Sequence, residues 1–405
     1  MFQNPQKSFT LIELLIVIAI IAIIAGAVLV AINPAKRIAE ANDSQRWSEV
    51  RSLSTAVSTY IVDNKGQVPN CGGFDLPADG IYRWVGTTGG GASYFLDDNA
   101  ATETDGSGND NDLSTIKGAT YNPSGKVNGS YDFTSNIGDD EYLQTNNDPQ
   151  SLKISSKITL AAWVFPTANI WQARIVHKWI SANWSYYALF VGNGSGCSFG
   201  NCLQFRATMS SGNGADAVGD ITIPQDQWTH IVATFDDEKD TVILYINGDK
   251  IDDVDVNIFF CVDGFCDGVS HPNGEGIFTQ NIAQTMPAPS PLEIGGHSQR
   301  MDARGFVGSI DEVYVFDRVL SDDEIKALYN NAENGNTGMF NGSQSCDLTA
   351  DLVTTNGYLS SIPTDPNQGN DQNSGYLIKR DPAGSISIKA PHASDYAEEE
   401  IRVSR

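Results

Sequence analysis

From Leu11 to Ile32 the chain is apolar except for one carboxylate, Glu13. A stretch of that length spans the ~30 Å hydrocarbon core of a bilayer as a helix. An ionised carboxylate beside lipid is costly and needs a partner or a functional reason. The pattern then changes. Trp47, Val50, Leu53, Val57, Tyr60 and Ile61 recur at three- and four-residue intervals and share one helix face, while Glu40, Arg46, Glu49 and Arg51 occupy the others. Residues 33 to 62 therefore continue the helix into solvent as an amphipathic segment that packs on a globular head. Pro34, without an amide proton, is expected to kink it just beyond the membrane, and Gly66 in D-N-K-G-Q-V-P to stop it.

Further on the period becomes two. Ile158, Leu160, Ala162 and Val164 point one way, as do Val242, Leu244 and Ile246, which lead into the favoured hairpin turn Asn247-Gly248. Tyr376, Ile378, Ile386 and Ile388 alternate likewise. The fold class is multidomain α+β: a long N-terminal helix, a small antiparallel sheet over its amphipathic half, and an all-β region between them.

Composition agrees. At 405 residues the chain exceeds a single ordinary core. Its abundant Gly, Asn, Asp, Ser and Thr suit short strands joined by polar turns, an extracellular all-β profile. A net charge of -25 argues against nucleic acid and anionic membrane surfaces as partners. The six cysteines include two local pairs of equal spacing, Cys197 with Cys202 and Cys261 with Cys266, which leaves Cys71 and Cys346; pairing in that way is the simplest of many arrangements. A zinc site fits the spacing less well, having four intervening residues and no flanking His. Disulfides need an oxidising compartment, so everything after the apolar helix is expected outside the cytoplasm. Lys36 and Arg37 after the apolar segment, against Lys7 before it, point the other way on the positive-inside count, but the cysteines and the leader described next outweigh that difference.

The residues K-S-F-T-L-I-E around Glu13 resemble the class III leader of type IV prepilins and type II secretion pseudopilins. The resemblance implies cleavage by a prepilin peptidase between Ser8 and Phe9, N-methylation of Phe9, and pairing of Glu13 with the α-amine of a neighbouring subunit during filament assembly. The family usually has Gly where Ser8 stands. A cleaved secretory signal, a plain signal anchor, and a Glu13 that snorkels to the headgroups are the rival readings. At the far end, Y-L-S-S-I-P-T-D-P from Tyr358 followed by G-Y-L-I is similar to the C-terminal half of pilins and pseudopilins, although there it normally follows the long helix closely. Asp365 and Asp371 fall where some pseudopilins hold calcium, and a solvated turn is the preferred reading. Something large is thus inserted into a pilin head. A Cys71–Cys346 bond would clamp the base of the insert, contributing about 4 to 5 kcal/mol in the chain-entropy model.

The insert carries a second resemblance. D-G-S-G-N-D-N-D from Asp105, Y-D-F-T-S-N-I-G-D-D-E-Y-L-Q from Tyr131, I-T-L-A-A-W-V-F-P from Ile158, Q-W-T-H-I-V-A-T-F-D from Gln227, L-Y-I-N-G from Leu244 and G-S-I-D-E-V-Y-V-F-D-R-V-L-S-D-D-E-I from Gly308 are similar, in order, to the motifs of a laminin G-like, concanavalin A-like jelly roll. The resemblance implies a two-sheet sandwich and calcium in a loop, with Asp105, Asn109 and Asp112 as one ligand set and Asp139 with Asp140 as another. An acidic surface turn is the alternative, and His297, Ser298 and Gln299 stand where pentraxins supply acids. Trp171, Trp184 and Tyr186, near Trp179 and Tyr187, could stack on sugar rings or fill a sandwich core. Catalysis is not expected. The E-x-D-x-x-E cluster of glucanases of this architecture is missing, His230 reads as a core histidine, and G-N-G-S-G before Cys197 lacks the spacing of a hydrolase nucleophile.

The expected organisation is a leader at 1–8, an assembly helix at 9–33, an amphipathic helix and connector at 34–75, a linker at 76–91, the sandwich at 92–330, a linker at 331–345 and the rest of the pilin head at 346–405. The expected function is that of a minor or tip pilin-like subunit, single-pass in the cytoplasmic membrane and then extracellular, displaying an adhesive module for glycans or proteins. Its partners would be other pilin subunits, the prepilin peptidase and an extracellular ligand. The alternative is a structural pseudopilin of a secretion or DNA-uptake machine.

Overall fold

The computed structural model describes Leu11, Ile12, Leu15, Ile16, Ile18 and Ile20 and most of residues 34–403. Outside it lie the other residues before 34, the stretches 72–75, 87–90, 135–140, 193–200, 209–213, 272–289, 299–304, 335–344, 365–372, 391–400 and 404–405, and scattered shorter segments. Ser8, Phe9 and Glu13 are therefore not described. The six positions between Leu11 and Ile20 are helical and each exposes half or more of its surface. Among the described residues no helix is long and apolar enough to cross a membrane.

The described helix runs Pro34–Asp63. Its apolar stripe behaves as the periodicity predicts: Val50, Leu53, Val57, Tyr60 and Ile61 are buried in one cluster with Tyr376, Ile378, Ile386 and Ile388. Arg46, placed by the pattern on a polar face, is instead buried and donates to Asp43 at 2.8 Å. The helix stops where expected, with the Gly66 amide donating back to the Ile61 carbonyl. The covering sheet has five strands in the order Ser345–Cys346, Arg83–Gly86, Asn373–Arg380, Ile386–Lys389, Ile401–Val403. Two details differ from expectation. The sheet is mixed, since Arg83–Gly86 and Ser345–Cys346 pair in parallel. The linker expected at 76–91 also supplies a strand of the head. Parallel pairing between strands so far apart in sequence leaves no local pattern to read.

Cys71 and Cys346 form a disulfide inside that same cluster, closing a sequence separation of 275 residues. Cys202 is also disulfide-bonded, and Cys197 lies outside the described residues. Cys261 and Cys266 face each other across the hairpin Val254–Val262 and Phe265–His271.

The insert is a two-sheet sandwich. One sheet has nine strands, ordered Phe265–His271, Val254–Val262, Gly214–Thr222, Cys202–Thr208, Trp184–Gly192, Ala173–Ser181, Leu292–Ile294, Tyr142–Thr145, Leu113–Lys117. The other has eight and is centred on Lys157–Pro166, flanked by Thr229–Asp236 and Val307–Phe316. Ile158, Leu160, Ala162 and Val164 join the core between the sheets, while Ala161 faces the opposite side. That opposite side is buried too, because the helix Asp322–Glu333 packs on it through Ile325 and Leu328. This helix is fixed at its start by a capping box: Ser321 accepts from the Glu324 amide, and the Glu324 side chain accepts from the Ser321 amide. The predicted Asn247-Gly248 turn is present, both residues having the positive φ, 52° and 79°, that such a hairpin requires.

Candidate binding face of the sandwich

Across Ala173–Ser181 and Leu292–Ile294, Val176 faces Ile294 and both lie in the core. The next cross-strand pair, His177 with Glu293, therefore points to the outer face of the nine-stranded sheet. Register carries the row onward in both directions. Gln144 faces Glu293, and on the other side Ala188 faces His177 and Arg206 faces Ala188. One step along, Arg174 and Gln204 flank Phe190, and the Arg206 guanidinium lies 5.3 Å from the Phe190 ring centre. This outer face is polar yet largely covered: His177, Glu293, Gln204 and His297 are all at most 4% exposed.

His177, Glu293 and His297 converge on one point. The Glu293 Oε2 atom is 3.5 Å from His177 Nε2 and 3.2 Å from His297 Nδ1, and the two imidazole rings lie edge to face with centres 5.1 Å apart. The other oxygen, Oε1, accepts from Gln144 Nε2 at 3.2 Å and from the Ser298 amide at 3.1 Å. The turn that brings His297 back over its own strand depends on Gly295, whose φ is +81° and where a Cβ would come within 2.0 Å of the Phe133 ring. Burial, with the nearby charge of Arg174 and then His297, pushes His177 well below the ordinary imidazole range and keeps it neutral.

The Asp105 loop is ordered differently from a row of free ligands. Asp105 Oδ1 accepts from the amides of Ser93 and Ser107, and Oδ2 from the Ser107 hydroxyl and the Asn111 amide. Asn109 donates to the Gly91 carbonyl, and Asp112 accepts from the Asp105 amide. Asp105 and Asp112 thus organise this loop through N–H and O–H donors. Burial raises the Asp105 carboxyl, with the Ser93 and Ser107 bonds pulling it back. Asp139 and Asp140 lie outside the described residues.

Of the aromatics expected to stack on sugars, Tyr186 is 2% exposed and belongs to the sandwich core. Its phenol is pushed up to about 12 by burial and by Asp148. It cannot present a ring to a ligand, and the core-filling alternative holds for it. Trp171 and the Trp184 side chain lie outside the described residues. His230 is buried against Trp163, ring centres 5.3 Å apart, as a core histidine should be. A second acidic group escaped the sequence reading. Asp311 and Glu312 are buried at a bulge where Glu312 adopts a φ of 49°. Burial, then mutual repulsion, raises Glu312 well above the ordinary carboxyl range.

Two family models match. Residues 3–29 match the prokaryotic N-terminal methylation motif, and residues 137–259 match the concanavalin A-like lectin/glucanases superfamily. The chain carries a prepilin-type leader motif together with a concanavalin A-like, laminin G-type domain. No match was found among curated protein sequences. Solved structures similar to part of the chain include domain 4 of an extracellular GH43 arabinanase from Geobacillus stearothermophilus in complex with arabinotriose. It has 17% identity and a TM-score of 0.39, with 61% of this chain and 99% of that domain covered. The binding domain of paraclostridial mosquitocidal protein 1 has 20% identity and a TM-score of 0.40, covering 62% of this chain and 52% of that one. The heptameric SAP-like pentraxin of Limulus polyphemus has 13% identity and a TM-score of 0.33, covering 49% and 78%.

Proposed function

We propose that the chain is a type IV pilin-like filament subunit, minor or at the tip, that displays its sandwich for adhesion to glycans or surface proteins. One observation carries this reading. A chain that opens with a prepilin-type methylation motif holds a lectin-type sandwich inserted between the halves of a small α+β head. Both ends of the insert leave that head at one place, because Arg83–Gly86 and Ser345–Cys346 are neighbours and Cys71 is bonded to Cys346. A domain whose two ends leave the head at a single base adds bulk that would crowd a filament wall while fitting a tip.

With this goes the assembly chemistry of the leader. Cleavage between Ser8 and Phe9 would free the amine that Glu13 of a neighbouring subunit pairs with, offsetting the cost of a carboxylate in an apolar setting. Calcium belongs to the same proposal. In the Asp105 loop it would have to displace the donors already bound to the carboxylate, and Asp139 with Asp140 is the other set to test. A glycan array probed with residues 34–405, with and without calcium, tests the reading. Binding to a defined glycan class supports it, and a blank array under both conditions favours a structural pseudopilin.

A further inference from the structure

We infer that His177, Glu293 and His297 form a binding site for a first-row divalent transition metal, with zinc the best fit. The geometry is that of a three-ligand centre. For bonds of about 2.0 Å, neighbouring ligand atoms of a tetrahedral zinc lie about 3.3 Å apart. The two distances to Glu293 Oε2, 3.2 and 3.5 Å, bracket that edge, and all three candidate donor atoms lie within 4.8 Å of one another.

A buried hydrogen-bonded trio would explain the proximity equally well, but the bonding argues against it. Glu293 Oε2 makes no hydrogen bond despite its two imidazole neighbours, and neither ring nitrogen of His177 has a hydrogen-bond partner. Both side chains are at most 1% exposed, and polar atoms buried in that way are costly unless something satisfies them. A cation between them would. Glu293 Oε1, meanwhile, is held by Gln144 and Ser298, the outer support that orients a ligating carboxylate. Two imidazoles and one carboxylate suit zinc, cobalt or iron and not calcium, which takes six to eight oxygens. The second nitrogen of His177 lacks the usual outer acceptor, a deficit that costs about 10- to 100-fold in affinity. Binding should accordingly be weaker than at a closed structural zinc site.

The test uses the full chain in detergent, without a polyhistidine tag and stripped by chelator, titrated with Zn²⁺ and separately with Co²⁺. We expect one equivalent of either metal to survive gel filtration, an intense visible absorption of tetrahedral type with cobalt, and a rise in Tm. Glu293→Gln and His297→Ala should each abolish the cobalt band and weaken zinc binding by about 100-fold, while His271→Ala and His392→Ala leave both unchanged. Should the first two variants fail to fold, the wild-type stoichiometry and spectrum decide. Less than one equivalent, or a weak octahedral-type cobalt spectrum, overturns the inference and leaves a buried polar cluster.

Discussion

Glu324 is 1% exposed, and its carboxylate accepts from Arg318, from the Ser321 amide and from the Tyr82 amide, which joins the head to the sandwich. Burial alone would raise its pKa, but the Arg318 guanidinium and then Lys389 overcome this and hold it at about 2, against the usual 4.5. A depressed carboxylate stabilises the fold fully above 4.5, and that contribution is lost as pH falls from 4.5 towards 2; the linkage amounts to about 3 kcal/mol. Glu324→Gln is expected to flatten this acid limb and, by stranding the buried Arg318, to lower neutral-pH stability by about 3 kcal/mol or more. Urea denaturation across the acid range checks both. His230 works in the same pH direction. Burial, then Lys126, lowers it to about 3, so the unfolded chain takes up a proton below 6.5 that the fold refuses. Both its ring nitrogens lack hydrogen-bond partners. His230→Phe keeps the stack on Trp163 and should raise stability by about 1 to 3 kcal/mol, with a larger gain below pH 6.5; an unchanged melting curve at pH 5 would refute this. His230 was legible as a core residue from its strand motif. The His177–Glu293–His297 meeting was not, because the first ligand comes opposite the second only through sheet register. The one local trace is Glu293 and His297 four residues apart around Gly295-Gly296, a spacing common in chains that bind nothing.

Among the elements, those with a strong period read true. The stripe from Val50 to Ile61 and the alternation of Tyr376, Ile378, Ile386 and Ile388 meet each other in one cluster. Leu53 lies at its centre with no exposed surface, and Leu53→Ala is expected to cost about 2 to 5 kcal/mol. What the pattern could not convey was pairing at a distance: Arg83–Gly86, inside an apparent linker, finds Ser345–Cys346 across the whole insert. The helix Asp322–Glu333 had a usable signal, the S-D-D-E capping box, hidden in a motif read only for its resemblance. The clamp itself was legible, since the placement of Cys71 and Cys346 at the two borders of the insert is a sequence fact. Replacing both by Ser should lower head stability by about 2 to 5 kcal/mol while the sandwich core, which contains neither residue, keeps its strands. Differential scanning calorimetry distinguishes that outcome from a collapse of the whole chain.

At the scale of the molecule, the chain combines three parts. An apolar N-terminal segment carries the methylation motif, a small helix-on-sheet head follows, and a sandwich, with nine and eight strands in its two sheets among the described residues, is inserted into that head at a single clamped base. The net charge of -25 on the whole chain disfavours anionic surfaces as partners. We propose that this sandwich is carried on a pilin-type filament. Immunogold labelling with antibody to the sandwich, on cells expressing the wild-type chain or Glu13→Ala, is the decisive measurement. Gold is expected on surface filaments, concentrated at their tips, and is expected to be lost from filaments in Glu13→Ala with the protein retained in the membrane fraction. Gold confined to the cell envelope in both strains would contradict it.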